Sequence, residues 1–88
     1  MTIPDTIEID VTARDIAEGV PKNCSGCPIA LAAQRVLPEF DNIIVGESIV
    51  VEGEEFYRYS MTNEALEFVG AFDNGQEVSP FKFTAVRR

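Results

Sequence analysis

Two cysteines three residues apart stand at an apparent helix start: Asn23-Cys24-Ser25-Gly26-Cys27-Pro28, running into Ile29-Ala30-Leu31-Ala32-Ala33. Three chemistries suit that spacing. In the first, a thiol–disulfide pair closes a short ring, and helix amides and dipole stabilise a thiolate on the exposed cysteine. Cys24 would then be the attacking thiol and Cys27 its partner. In the second, soft thiolates hold zinc, which needs four ligands. The chain has two cysteines and no histidine, so a zinc site would need carboxylates, or Cys24 and Cys27 from each of two copies bridging a dimer. In the third, the motif is only a tight way into a helix. Cys27 packs as a small buried hydrophobe, Asn23, Ser25 or Cys24 satisfies the first amides, and Ser25-Gly26 turns the chain. A thioredoxin-like site expects a buried strand leading straight into the motif. Here the loop Val20-Pro21-Lys22-Asn23 precedes it, which favours the third reading and leaves Cys24 as the reactive thiol. The missing histidine also removes the commonest general base and every Ser–His or Cys–His pairing. We therefore expect no enzyme, no cofactor and no resident metal.

The elements around the motif read as follows. Ile7, Ile9 and Val11 alternate with Glu8 and Asp10, the period of a half-buried strand. Thr12-Ala13-Arg14-Asp15 has the form of a reciprocal helix cap, and the short helical turn it opens ends at Gly19, expected as a left-handed stop. From about Cys27 to Leu37 the spacing predicts a helix, with Pro28 at its first position and Pro38 at its end. Ile29, Ala32, Ala33 and Val36 form its apolar stripe. Ile43-Ile44-Val45 and Ser48-Ile49-Val50-Val51 read as strands turning at Gly46-Glu47. Glu52-Gly53-Glu54-Glu55 is a second turn, and Phe56-Tyr57-Arg58-Tyr59 pairs back as a hairpin arm. Thr62 caps a second main helix with Ala65, Phe68, Val69 and Phe72 on one face, ended by Asp73-Asn74-Gly75. Pro80 then leads into a strand with Phe81 and Phe83 inward. The expected class is α+β. It is one domain over residues 1–88, with an antiparallel-rich sheet of four to five strands and two main helices packed on one face. The helix before the last strand leaves room for one parallel crossover.

Charge carries the rest. The 88 residues hold 15 acids and 7 bases, for a net charge of −8. Ten of the acids fall between Glu39 and Glu77, where Arg58 is the one base. Such a surface repels a phosphate backbone, so direct nucleic-acid binding is disfavoured. Arg87-Arg88 is too short a basic tail to reverse that. A basic protein partner, or mimicry of a phosphate backbone, fits better. The expected contact surface is the acidic tip Glu52, Glu54 and Glu55, with Tyr57 and Tyr59 covering an open sheet face beside it and Glu64 and Glu67 on the following helix. No apolar run reaches the roughly 20 residues that cross a bilayer, so no membrane is expected. Met1-Thr2-Ile3-Pro4-Asp5 lacks the basic and apolar regions of a secretory leader, which makes a cytoplasmic placement the expectation.

Ile9-Asp10-Val11-Thr12, Asp15-Ile16, Gly19 and Cys27-Pro28-Ile29-Ala30-Leu31-Ala32, followed by Phe68, Phe72-Asp73, Gly75, Val78, Pro80-Phe81 and Phe83, resemble small uncharacterised proteins of bacteriophages and prophages, particularly of actinobacteria. The resemblance implies no activity, cofactor or site. It does point to a phage-type accessory protein that binds a host or phage protein, some of which imitate nucleic acid.

Overall fold

The computed structural model describes residues 4–40 and 42–88. Met1–Ile3, on which the leader reading partly rests, and Asp41, one of the ten acids, lie outside them. Thr6–Val11 forms β1, with Ile7, Ile9 and Val11 buried and the residues between them exposed. Thr12 then caps α1 (Ala13–Glu18). Its hydroxyl accepts the Asp15 N–H at 3.2 Å, and the Asp15 carboxylate accepts the Thr12 N–H at 2.9 Å. Two otherwise orphaned donors are satisfied within four residues. Gly19 departs from expectation: its backbone is extended, with φ −67° and ψ 150°. Glycine is needed for a different reason, because a Cβ would lie 2.6 Å from Pro28 Cδ and 2.9 Å from the Asp15 carbonyl oxygen. The end of α1 rests directly against the first turn of α2.

That helix, α2, spans Pro28–Val36. Ile29, Ala32 and Ala33 are fully buried, so its small residues let it lie close to its neighbours β1 and β2. Val36 is not part of this face, being 40% exposed. The chain turns inward one residue later, where Leu37 caps the helix at 2% exposure and fills the place assigned to Val36.

β2 (Asn42–Val45), β3 (Ser48–Glu52) and β4 (Phe56–Ser60) follow as an antiparallel meander. Next comes α3 (Asn63–Asp73), capped by the Thr62 hydroxyl accepting the Ala65 N–H at 3.1 Å. Asn74 and Gly75, the latter at φ 76°, end it as expected. Phe68 of α3 meets Phe81 at 4.8 Å between ring centroids, and Phe81 stacks on Phe83 at 5.6 Å. This aromatic column joins α3 to β5 (Phe81–Val86), which pairs antiparallel with β1 along its whole length.

The class is α+β, with three helices, but the single sheet divides in two: β1–β5 and β2–β3–β4. Residues 81–86 are paired with β1, and the chain bridges to the backbone of β4 just beyond them, from Arg87. There Tyr59 and Arg87 form an antiparallel bridge, and the Arg88 N–H donates to the Arg58 carbonyl at 2.8 Å. Because that bridge is antiparallel, α3 does not complete a parallel crossover. The two arginines are thus a seam between sheets rather than a tail. Arg87 also holds the other terminus, its N–H on the Asp5 carbonyl and its guanidinium on the Asp5 carboxylate, both at 2.7 Å. No helix among the described residues is long and apolar enough to cross a membrane.

Candidate functional site

The loop before α2 is built from its own side chains. The Asn23 carboxamide oxygen accepts the N–H groups of Ser25 at 3.1 Å and Gly26 at 2.9 Å, an Asx turn that reverses the chain. Val20 N–H donates to the Gly26 carbonyl at 2.8 Å and closes the loop. Two further bonds anchor it: Val45 N–H of β2 to the Cys24 carbonyl, and Lys22 N–H to the Asp73 carboxylate, both at 2.8 Å. The second holds Lys22 at φ 60°, a left-handed conformation that costs a lysine energy. Between loop, β2 and α3 lies a cleft of about 220 Å³, lined by Lys22, Cys24, Cys27, Val45, Val69 and Asp73.

Both thiols are free, Cys24 exposed and Cys27 buried. The helix begins after the second cysteine, and Cys27 is itself the N-cap, its Sγ accepting the Ala30 N–H at 3.4 Å. The capping role assigned to Asn23, Ser25 or Cys24 belongs to Cys27, while Asn23 shapes the turn before it. This placement withholds from Cys24 the helix-amide support that the redox reading gave it. Helix amides meet Cys27, not the exposed Cys24. Burial pushes the Cys27 thiol above its ordinary value, and the Asp73 carboxylate adds to the rise. The zinc-bridged dimer fares no better, since four thiolates shared between copies must all reach a surface and Cys27 is 5% exposed. Among the described residues no group of three or more Cys, Asp or Glu side chains is placed to hold a metal.

The acidic surface is arranged differently from the sequence expectation. Glu54 and Glu55 are exposed at the β3–β4 turn and Glu52 is half-buried. Glu52 accepts from the Asn42 amide at 3.2 Å and Glu55 from the Tyr57 hydroxyl at 2.9 Å, a bond that raises the phenol's pKa. Glu64 and Glu67 are exposed on α3. The tyrosines, however, face inward. Tyr59 is fully buried, with its hydroxyl on the Pro4 carbonyl, and presents nothing to a partner. Tyr57 is half-buried against Phe40, edge to face at 6.2 Å.

The residue on the open face is Phe56, 73% exposed, with Arg58 beside it in phase. Phe56-Tyr57-Arg58-Tyr59 places an aromatic on both phases of the strand, so its alternation alone leaves the inward face ambiguous. Arg58 was the available signal. A charge belongs outside, which puts Phe56 outside and both tyrosines inside.

Sequence reasoning also missed the ion pair of Asp15, the one buried charge among the described residues. Arg35 of α2 forks onto Asp15 of α1, with Nη1–Oδ1 at 2.8 Å and Nη2–Oδ2 at 2.9 Å, and Nη2 also donates to the Asp10 carbonyl of β1 at 2.9 Å. This guanidinium contact, with the Thr12 bonds, holds the Asp15 carboxyl at about 2. Every polar atom in it is satisfied, so it ties three elements together and offers no reactive group.

All four ion pairs among the described residues (Arg14–Glu18, Arg35–Asp15, Lys82–Glu8 and Arg87–Asp5) lie on α1, α2, β1, β5 and the flanking termini. The acids of β2–β4, their turns and α3 take part in none of them. Comparison of the chain with family models, with curated proteins and with solved structures finds no match.

Proposed function

We propose that this chain is a non-enzymatic binding domain that presents the β3–β4 hairpin to a protein partner with a basic surface. The observation that supports the reading is the concentration of cation-free carboxylates around a single exposed ring. Glu52, Glu54 and Glu55 surround Phe56 at the tip, and Glu64 and Glu67 extend the negative field along α3. Carboxylates not paired to a cation within the chain attract lysines and arginines over a Debye length and raise the association rate, while an exposed aromatic supplies a desolvated anchor. The resemblance to small phage proteins directs the search for that partner to bacterial host proteins, with nucleic-acid mimicry one form the contact takes.

The test is charge reversal. The Glu52→Lys, Glu54→Lys, Glu55→Lys triple variant is expected to lose a host protein that the native chain retains at low salt and releases at high salt. Retention of that protein by the triple variant overturns the surface assignment.

A further inference from the structure

The register of the meander places Ile44 of β2 opposite Val50 of β3, and Val50 opposite Arg58 of β4. One step along, Glu52 stands opposite Phe56, which brings Phe56 diagonally beside Val50. Strand alternation sends Ile43, Val45, Ile49, Val51 and Tyr59 into the core and these residues to the opposite face. Ile44 and Val50 are half-buried and belong neither to the core cluster nor to the side chains packed against it. Neither main helix covers them, since α2 buries Ile29, Ala32 and Ala33 in that core and α3 buries Ala65 and Phe68. The outer face of the three-stranded sheet therefore carries a contiguous apolar strip, Ile44–Val50–Phe56.

Both ends of the strip are negative. Glu47 is exposed in the β2–β3 turn, and Glu52, Glu54 and Glu55 sit at the β3–β4 end, while Arg58 lies on the face with Arg88 paired beside it at the edge of β4. Glu47 and Glu52 are five residue steps apart along β3, which at strand rise is about 17 Å. A second copy is a poor occupant. Two such faces related by a two-fold set one acidic turn against another at both ends, on chains that each carry a net charge of −8.

We infer that the outer face of β2–β3–β4 is the docking surface for a basic segment of a partner protein, one whose apolar side chains cover Ile44, Val50 and Phe56 while lysines or arginines at both ends, about 17 Å apart, meet the two acidic turns. The inference rests on the proposed basic partner and specifies its chemistry: charge at the ends, apolar contact in the middle.

The test selects from a random library of displayed 12-residue peptides against the full chain, then measures the affinity of the enriched sequences as free peptides. The expected consensus has two or more aliphatic or aromatic residues between lysines or arginines. Phe56→Ser and the Ile44→Ser, Val50→Ser pair should each weaken binding at least tenfold. Because those residues lie outside the core, the fold should persist, and amide shifts on the unaltered chain should centre on Ile44, Val50, Phe56 and Arg58. Basic peptides whose affinity falls only with the glutamate reversals overturn this inference and leave the proposed function standing. Enriched peptides without basic residues overturn both, as does the absence of any enrichment. A chain that doubles in mass through this face, reverting with Phe56→Ser, overturns the inference in favour of self-association.

Discussion

The β1–β5 side of the molecule and the β2–β4 meander use charge in opposite ways. On the first, acids are answered within the chain: Asp5 by Arg87, Glu8 by Lys82, Asp15 by Arg35 and Glu18 by Arg14. On the second, Glu47, Glu52, Glu54 and Glu55 have no cationic partner among the described residues, and Arg58 is as free as they are. Composition alone reports one average acidity. Spatial sorting separates charge that holds the fold from charge left available to something outside it.

Four measurements can break that contrast, and the largest effect belongs to the paired side. Asp15→Ala removes the carboxylate that accepts the Thr12 N–H, half of the capping box, and leaves Arg35 only the Asp10 carbonyl, so urea unfolding should report a loss of about 3 kcal/mol. A loss of that size from Glu54→Lys, Glu55→Lys instead would show that the meander's acids are structural. Next in size is an acid transition. The Asp15 carboxyl is depressed from 3.8 to about 2 when folded, so its contribution is complete above about pH 4 and is lost as pH falls through about 2. Linkage puts it at about 2 kcal/mol. Native chain should lose that much across the window relative to Asp15→Asn; parallel curves would break the assignment.

The cleft lies between the two regions and should respond less. Cys27→Ala removes the acceptor of the Ala30 N–H and is expected to cost about 1 kcal/mol. In the native chain, iodoacetamide should label Cys24 readily and Cys27 only as fast as the protein opens. Equal rates would restore the thiol pair as a chemical site. Smallest of all, the Glu54→Lys, Glu55→Lys pair should change stability by under about 0.5 kcal/mol. Its sign should be slightly favourable at low salt and vanish as salt screens the turn.

Periodicity made most elements legible from sequence. β1, both main helices, the meander and β5 follow from alternation, heptad-like spacing and caps at Thr12, Thr62 and Asn74-Gly75. Long-range facts were not legible. The division into two sheets depends on β5 pairing with β1 rather than β4, and no local pattern encodes a partner some 75 residues away. The fork of Arg35 on Asp15 spans 20 positions and two helices, so it too has no local signature. At the proposed binding face, the acids were readable individually, but the tyrosines were placed on the wrong side. Their inward turn depends on strand phase, which aromatic residues on both phases conceal and Arg58 alone reveals.

The pairing of β1 with β5 also constrains when this protein can fold. Thr6 finds its partner at Val86, so the ladder that closes the domain cannot zip until β5 has left the ribosome. The meander and the two capped helices are local enough to form earlier, at low loop-closure cost. The first strand, bearing Ile7, Ile9 and Val11, meanwhile waits with an unpaired edge and an uncovered apolar face. During synthesis the exposed hazard is therefore β1, and its release from that state is set by the emergence of β5.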